Sequence, residues 1–533
     1  MILRIIKNEL HGIKRYLLFE VGYIFFDLMT LVIINGVLGD IFPENTEIRN
    51  LLLFLFALLL NLTFYLQAKK ISIGIVETII GKIRWGIIEK VHRTDLESFE
   101  KLGKSSIYNT ITMDTQTLSD VAHTFGWVND ALLICASLLA YQFIICKPAF
   151  FFTAGIFGLG ALIYTTEILL AKKWFHQARE REKKLFDAIG GVIYGFKELK
   201  INDRKNDHFF NQALVKRSAE NRLARTRAEN ALAFGNVTAS FFEWAAFIPI
   251  LFIIPAFGRF SIHELAVSVV SLLFFPFNLI KDTIPYLLRG WIAVERIEAL
   301  IKTLETLKSD EPEGAVLEEE PGRFKELHYR NLCFSYLDRK GNPAFSIDHI
   351  DLSIIPGEIL FITGGNGSGK STLIKTLVGL YTPVSGSIEK DGEAISTSAL
   401  RNLFSVVFFD CHLFDRLYGL GTVEVRQVEM LLKTLGLDEI VSFRENRFTP
   451  LTLSGGQRKR LALLEALLEE KPVYVFDEWA ADQSPRFRDY FYHHLLPTLK
   501  KQGKTVIAVT HDDQFFHMAD RVLKMDYGRF ARE

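Results

Sequence analysis

The first 290 residues alternate between long apolar stretches and segments rich in charge. A helix needs about 20 apolar residues to cross the hydrocarbon core of a bilayer, and six stretches reach that length. They cover residues 16–37, 50–68, 127–146, 148–170, 231–257 and 262–288. The first is too long for the apolar core of a signal peptide, and no small-residue cleavage site follows it. The pattern therefore predicts an all-α transmembrane domain with six spans.

The distribution of Lys and Arg predicts the orientation of these spans. The N-terminal segment and the segments around 69–125 and 171–230 are rich in Lys and Arg, whereas the loop from Gly39 to Asn50 is mainly acidic. Segments rich in Lys and Arg stay on the cytoplasmic side of a membrane. We therefore expect a multi-pass protein in contact with membrane lipid, with both termini and two long loops in the cytoplasm.

The charged segments Arg93–Ser119 and Lys172–Arg227 carry apolar residues at helical spacing and contain no proline. They predict long helices that continue from the spans into the cytosol, either to carry motion to a soluble domain or as solvated connectors. Near the last span, Pro276 predicts a kink. The composition turns polar after it, so a transmembrane domain over 1–300 and a linker over 301–322 are expected.

Two acidic residues lie deep inside predicted spans, Asp27 and Glu243. A charge in hydrocarbon costs about 2.5 kcal/mol or more, so such residues normally face a cavity or a partner. Two interpretations remain open. Asp27 and Glu243 either line a polar substrate cavity or form internal pairs that hold helices together.

From residue 323 the chain has the pattern of an α/β domain. Strand-like apolar runs recur at Ile359–Thr363, Val473–Phe476 and Thr505–Val509, each near a turn or a charged segment. Lys and Arg together number 62, as do Asp and Glu, so charge gives no reason to expect a nucleic-acid partner. The four cysteines have no metal or disulfide spacing and are interpreted as small apolar residues.

The first of these runs leads into a phosphate loop. The segment reads Gly364-Gly365-Asn366-Gly367-Ser368-Gly369-Lys370-Ser371-Thr372 and fits G-x-x-x-x-G-K-[ST], between a strand-like run and a helix-like one. Glycines let backbone N–H groups curl around phosphate oxygens at the positive end of the next helix. With the strand and helix in place, a nucleotide site is a better interpretation than a glycine-rich turn without a ligand.

Two further motifs follow in an informative order. Val473–Phe476 ends in Asp477-Glu478, and His511 comes after Thr505–Val509. A carboxylate at the end of a buried strand is where an Mg²⁺-associated acid belongs in such a sheet, but an acid at a helix start would look the same. The upstream segment Leu453-Ser454-Gly455-Gly456-Gln457 removes this ambiguity, because its amides and hydroxyl form an anion-binding helix start.

Residues 323–533 resemble the nucleotide-binding domain of an ATP-binding cassette (ABC) transporter, and the six spans resemble an exporter-type half-transporter of the type IV fold. The resemblance implies ATP and Mg²⁺ as cofactors. It also implies that Tyr336 stacks on adenine, and that Lys370, Ser371 and Asp477 hold the phosphates and the metal ion.

By the same resemblance Glu478 activates the attacking water and His511 senses the γ-phosphate. Ser454 and Gly456 would complete the site of a partner subunit, with the neighbouring Gly455 and Gln457. Because one chain carries both the phosphate loop and an intact Leu-Ser-Gly-Gly-Gln segment, a homodimer with two competent sites is the simplest assembly.

The chain departs from the family at two places. Phe409 stands where a Mg²⁺-contacting Gln is usual, so the resemblance leaves the adjacent Asp410 to take over the metal contact. The segment after Glu478 reads Trp479-Ala480-Ala481-Asp482-Gln483, which leaves Asp482 as the inter-subunit aspartate. Four segments resemble bacterial cyclic-peptide and peptide-siderophore exporters: 476–483, 510–513, 195–200 and 99–103.

The expected function is therefore ATP-driven export of a cyclic peptide, lasso peptide or peptide siderophore across the bacterial inner membrane. One alternative is a lipid or multidrug exporter with the same ATPase. The other is a membrane protein in which nucleotide gates a channel or regulates a partner.

Overall fold

The computed structural model describes residues 7–39, 47–257, 260–307, 324–337, 343–421 and 423–531. The chain divides into two compact units. The helical unit comprises residues Met1–Val91 and Lys104–Glu305, and the sheet unit comprises His92–Gly103 and Thr306–Glu533. Most of the expected linker 301–322 lies outside the described residues.

Long helices make up the helical unit. In chain order the helices up to residue 306 are α1 (Leu10–Gly39), α2 (Glu47–His92), α3 (Leu96–Leu102), α4 (Lys104–Ile145), α5 (Lys147–Tyr194), α6 (Phe196–Lys200), α7 (Asp203–Ala256), α8 (Ile262–Leu273) and α9 (Phe277–Thr306). Among the described residues α1, α2, α4, α5 and α7 are long and apolar enough to cross a membrane. The sixth predicted span is divided between α8 and α9, because Pro276 lacks the N–H that a continuous helix needs.

The charged segment Lys172–Arg227 mainly extends the long helices α5 and α7 rather than forming a separate loop. The helix α5 continues past residue 170 to Tyr194, and α7 starts at Asp203, well before its apolar part. Short π turns interrupt the regular spacing at Thr110–Asp114 and Phe210–Val215. The prediction of helix is confirmed for most of these residues. The segment Arg93–Ser119 is not one continuous helix, because α2 ends at His92 and the short helix α3 lies between α2 and α4.

Glycines allow α5 and α7 to approach each other closely. A Cβ on Gly160 would lie 2.9 Å from Phe242, and one on Gly235 would lie 3.1 Å from Tyr164. Small residues at such crossings bring backbones near enough for tight packing, which is the main attractive force between helices in lipid. Many leucines of α2, among them Leu52, Leu59 and Leu62, are exposed, as expected for a lipid-facing surface.

The sheet unit contains two main sheets. Its strands are β1 (Leu327–Leu337), β2 (Pro343–Ile354), β3 (Ile359–Gly364), β4 (Ser385–Lys390), β5 (Glu393–Ala394), β6 (Phe404–Val407), β7 (Ser442–Arg444), β8 (Arg447–Thr449), β9 (Val473–Asp477), β10 (Thr505–Val509), β11 (Arg521–Asp526) and β12 (Arg529–Phe530). Its remaining α-helices are α10 (Lys370–Leu377), α11 (Thr397–Arg401), α12 (Val425–Thr434), α13 (Gly455–Leu468), α14 (Pro485–Tyr490) and α15 (Leu496–Lys501). One sheet has the order β12-β11-β3-β10-β9-β6, and an antiparallel sheet has the order β2-β1-β4-β5.

The three predicted strand runs are confirmed as β3, β9 and β10, which lie side by side. They pair in parallel, and β9 and β10 are buried at every position, because strands covered on both faces read as continuous apolar runs. Parallel neighbours end at the same edge of a sheet. The segments that follow β3, β9 and β10 are therefore brought together at one edge.

Candidate nucleotide-binding and hydrolysis site

The phosphate loop connects β3 to α10 and depends on its glycines. Gly364 has φ 146° and Gly369 has φ 105°, both in the region that favours glycine. A Cβ on Gly364 would lie 2.4 Å from the carbonyl oxygen of Met525, which leaves no room for a side chain. Within the described chain the buried Ser368 hydroxyl has no hydrogen-bond partner. The glycines therefore determine the conformation of this loop, which curves around a space beside the N-terminus of α10.

Lys370, the first residue of α10, turns its ammonium group back over this loop. Its side chain is 5% exposed, and its Nζ donates to the carbonyl oxygens of Gly364 at 2.9 Å and Gly365 at 3.0 Å. The same Nζ lies 4.0 Å from Glu478 Oε1. A buried ammonium held by backbone carbonyls is placed to exchange them for phosphate oxygens.

Asp477 ends β9 and is 4% exposed. Burial, followed by the nearby Glu478 carboxylate, raises the pKa of Asp477 above its ordinary value. Its Oδ1 has no partner within the part of the chain that is described. A buried carboxylate oxygen without a donor fits a hard cation, which prefers oxygen ligands. Asp477 and Ser371 therefore fit Mg²⁺, and the exposed Asp410 lies near enough to act electrostatically on Asp477.

Glu478 begins the turn after β9 in a left-handed conformation, with φ 50°. Its Oε1 lies 3.3 Å from His511 Nε2. His511 lies between Thr510 and Asp512, and both neighbours contact the buried hydroxyl of Tyr492. The Thr510 hydroxyl lies 2.6 Å from it, and the Tyr492 hydroxyl donates to Asp512 at 3.0 Å. This network fixes the backbone on both sides of His511. Glu478 is thus placed to accept a proton, next to a histidine and a lysine that can donate to phosphate.

A cavity of about 380 Å³ lies beside these groups. Its lining residues are Tyr336, Phe345, Asn366, Gly367, Gly369, Lys370, Ser371, Thr372 and Glu478. Tyr336 donates to the Tyr381 hydroxyl at 2.9 Å, which holds the aromatic wall in place. The structure therefore brings Tyr336, the phosphate loop and Glu478 together around one cavity.

Phe345 belongs to this cavity and was not identified from the sequence. It pairs with Tyr336 across the β1–β2 ladder, and its ring lies 2.8 Å from where a Cβ on Gly369 would be. An aromatic residue in a strand is usually a core residue, and the β1–β2 register that places Phe345 here includes shifts. The pairing register of β1 and β2, and not the aromatic residue type, would have been needed to place Phe345 in the nucleotide cavity.

The Leu-Ser-Gly-Gly-Gln segment starts α13 and lies outside the residues that line the cavity. Ser454 caps α13 by accepting from Gln457 N at 3.4 Å, while Gln457 Oε1 accepts from Ser454 N at 2.9 Å. A Cβ on Gly456 would lie 2.7 Å from Asp482 O, whereas one on Gly455 would meet no atom within 4 Å. Gly455 therefore faces open space in the isolated chain.

Lys459, near the N-terminus of α13, contacts three parts of the site. It is 3% exposed, and its Nζ donates to Glu478 O at 2.8 Å and pairs with Asp482 Oδ2 at 2.7 Å. The same Nζ lies 4.3 Å from the Phe409 ring centroid, a cation–π contact. Phe409 thus has an intramolecular role at the position where the family resemblance led us to expect Gln. The sequence signal for Lys459 was a basic residue at a helix position that faces the core.

A second cavity, of about 290 Å³, lies in the helical unit between α7 and α9. Polar groups from both helices line it: Glu229, Asn236, Tyr286 and Arg289. Asn236 Oδ1 accepts from the Tyr164 hydroxyl at 3.2 Å, which orients its amide. Asp27 and Glu243 are half-buried and are not among its lining residues. Their assignment to a substrate cavity stays a prediction.

Comparison with known proteins agrees with this arrangement. The family model described as ABC transporter matches residues 347–481. The chain is 30% identical over 532 residues to the ATP-binding protein SyrD of Pseudomonas syringae pv. syringae, covering 95% of this chain and 93% of that protein. It is 30% identical over 282 residues to the ATP-dependent lipid A-core flippase of Paraburkholderia xenovorans, covering 50% of this chain and 45% of the flippase.

A solved structure of a bacterial Atm1-family ABC exporter with ATP bound has a similar fold. The TM-score is 0.76 at 15% sequence identity, over 98% of this chain and 95% of that chain. At that identity the likeness concerns the fold alone. It matches the succession observed here, in which a helical unit is followed by an α/β unit with a phosphate loop.

Proposed function

This chain belongs to the ABC exporter family as an ATP-hydrolysing half-transporter, and on that premise we propose that it exports a peptide-derived compound across the bacterial inner membrane. The proposal extends to a homodimer, to Mg²⁺ as the metal that accompanies ATP, and to both termini in the cytoplasm. The observation that carries the ATPase part is the cavity that Tyr336, Lys370 and Glu478 share.

Hydrolysis follows from the positions of these side chains. Phosphoryl transfer to water needs a positioned water and neutralisation of the charge on the transferred group. Glu478 would accept the proton of the attacking water, and Lys370, 4.0 Å from it, would neutralise the γ-phosphate oxygens. His511 would donate to the same phosphate. Ser371 and Asp477 would hold Mg²⁺, which supplies further positive charge when bound.

The proposed cargo rests on the segments that resemble peptide and siderophore exporters, and the similarity to SyrD shows how much of the chain has a common relative. SyrD is similar over both units, whereas the lipid A-core flippases are similar over about half of the chain. The segments that resemble peptide and siderophore exporters lie in both units, at 99–103 and 195–200 as well as at 476–483. The cavity between α7 and α9 has carboxylate, amide and guanidinium groups, which suit the polar backbone of a peptide.

A lipid cargo is the second candidate, favoured by the lipid A-core flippases among the relatives. The two candidates differ in what should stimulate ATP hydrolysis. A peptide exporter should respond to one class of peptide, and a flippase should respond to lipid A-like amphiphiles.

The test is ATPase activity of the full chain in lipid nanodiscs, with cyclic peptides, lasso peptides, peptide siderophores, drugs and lipids as a panel. Saturable stimulation by one peptide class, lost in Arg289→Gln, is the expected result. Stimulation by lipids or drugs alone would exclude a peptide cargo.

Glu478→Gln serves as the blank and is itself a prediction. We expect it to bind ATP normally but to lose nearly all turnover, by about 100-fold or more, since it removes the general base. Glu429→Gln, on the exposed face of α12, is the matched control and should keep wild-type activity. Near-normal hydrolysis by Glu478→Gln would show that another group activates the water.

A further inference from the structure

A buried cluster of charged side chains lies in the helical unit, away from both cavities. It brings together Glu20 of α1, Lys69 of α2 and Asp130 of α4. Lys69 Nζ pairs with Asp130 Oδ2 at 2.7 Å. Glu20 is 1% exposed and Asp130 is 5% exposed. Three separate helices thus contribute one charged group each to the same closed site.

The cluster holds two carboxyl groups but one ammonium group. Lys69 compensates Asp130, while Glu20 Oε1 and Asp130 Oδ1 are both buried without a hydrogen-bond partner in the described part of the chain. The carboxyl groups of Glu20 and Asp130 lie close enough to share a hydrogen bond. Two carboxylates at that distance cannot both stay ionised in a site closed to water, because like charges and burial both oppose it.

The other groups that face Glu20 are neutral or hydroxyl-bearing. On α1, Tyr16 accepts from Asn129 Nδ2 of α4 at 3.3 Å, and the Tyr23 ring lies tilted against Tyr65 of α2, with ring centroids 4.9 Å apart. Lys69 Nζ lies 5.1 Å from the Tyr65 ring. The titratable residues of α8, His263 and Glu264, lie in its first turn, where Glu264 bonds Ser261. Lys69 is therefore the cation that these contacts place in the cluster.

The cluster lies near one end of the first three predicted spans. Glu20 is four residues into the span 16–37, Lys69 directly follows the span 50–68, and Asp130 is three residues into the span 127–146. Each of these ends adjoins a segment rich in Lys and Arg, which is the cytoplasmic side in the proposed orientation.

We propose that Glu20 and Asp130 share one proton in this conformation, which makes the cluster a proton-binding site on the cytoplasmic side of the transmembrane domain. One shared proton forms a hydrogen bond between Glu20 Oε1 and Asp130 Oδ1, the two oxygens without a partner in the described part of the chain, and removes the excess negative charge. A proton also needs no cavity. An organic cation would need space beside Glu20, and Glu20 is only 1% exposed. Loss of the proton would leave two facing carboxylates and favour a conformation in which α1 moves so that Glu20 reaches water.

The test is infrared spectroscopy of the full chain in nanodiscs as a function of pH. We expect the carbonyl stretching band of a protonated carboxylic acid at neutral pH, which shifts in heavy water and disappears as the pH is raised. Glu20→Gln keeps the shape of the side chain and a hydrogen-bond donor, and should lower the intensity of that band by the contribution of one carboxyl group, leaving the contribution of other protonated groups such as Glu465. Asp130→Asn should lower the band by the same amount and serves if Glu20→Gln does not fold.

Glu180→Gln, on an exposed part of α5, removes a carboxyl group outside the cluster and should leave the band unchanged. Two results would overturn the proposal. One is a wild-type spectrum without a protonated carboxyl band at neutral pH. The other is a band that persists at full intensity in both Glu20→Gln and Asp130→Asn.

Discussion

Glu465, in the middle of α13, has an environment that should make the stability of the sheet unit depend on pH. Its Oε1 is buried without a hydrogen-bond partner among the residues described. Burial, and secondly the charge of Glu469, raise the pKa of Glu465 from 4.5 to about 7. Glu469 itself accepts from the Ser405 hydroxyl at 2.5 Å, so it stays close to α13.

The folded chain therefore holds a proton on Glu465 that the unfolded chain releases. Stability from this group is complete below pH 4.5 and is lost as the pH rises through about 7, because the folded state binds more protons in that window. We expect the thermal unfolding midpoint of Glu465→Gln to be less sensitive to pH across that window than that of wild type. The exposed Glu439→Gln should keep the wild-type slope, and equal slopes in Glu465→Gln and wild type would contradict the prediction.

At the scale of elements, the short helix α3 connects the aromatic wall of the nucleotide cavity to the chain that leads into α2 and α4. Its N-terminus is capped by Asp95, which accepts from Ser98 N at 2.9 Å, and Leu96 packs against the apolar cluster of the sheet unit. Glu100 accepts from Lys375 Nζ at 3.0 Å and from the Tyr381 hydroxyl at 2.5 Å.

Tyr381 joins α3 to the cavity because its hydroxyl also accepts from Tyr336. Tyr381→Phe removes this hydroxyl and keeps the ring, which stacks on Phe334 at 4.7 Å. We expect basal ATPase activity to change by no more than about tenfold, since one hydrogen bond contributes about 1 kcal/mol. Stimulation by cargo should be largely lost, because Tyr336 is then no longer bonded to α3 through Tyr381.

Tyr418→Phe removes an exposed hydroxyl from the same unit and is the matched control. The measurement is ATPase activity with and without the stimulating compound. Cargo stimulation of Tyr381→Phe equal to that of Tyr418→Phe would mean that this hydrogen-bonded chain carries no signal.

At the scale of the whole molecule, the phosphate loop and the Leu-Ser-Gly-Gly-Gln segment of one chain do not line a common cavity. A two-fold dimer would place Gly455 of each chain against the phosphate loop of the other. Gly455→Asp is the useful variant, because a side chain there meets no atom of its own chain within 4 Å. This variant should therefore fold normally, but its Asp side chain should prevent ATP hydrolysis at the phosphate loop of the partner chain.

Homodimers of Gly455→Asp and of Lys370→Ala should each be inactive. A mixed dimer places both defects in one site and leaves the other site intact, so an equal mixture should recover about a quarter of wild-type ATPase if the two sites act independently. The measurement is hydrolysis after co-reconstitution at equal amounts. Activity of the mixture no higher than that of the separate variants would argue against sites shared between two chains.

The amino-acid sequence alone determined the features that depend on neighbouring residues. Span length follows from runs of apolar residues, and the phosphate loop follows from glycines whose positive φ angles the structure confirms at Gly364 and Gly369. The position of three motifs at the ends of buried strands could also be predicted, because each motif directly follows an apolar run. Local backbone preference and hydropathy depend only on residues that are adjacent in the chain, so they can be predicted without knowledge of the fold.

Tertiary structure alone decided the contacts between residues far apart in the chain. Lys459 contacts Phe409 and Asp482, and neither partner is implied by its motif. Glu20 and Asp130 are separated by 110 positions and meet because α1 and α4 pack together. Such pairs depend on which helix faces turn inward and on strand register, and these are set by the packing of the whole unit rather than by any local pattern.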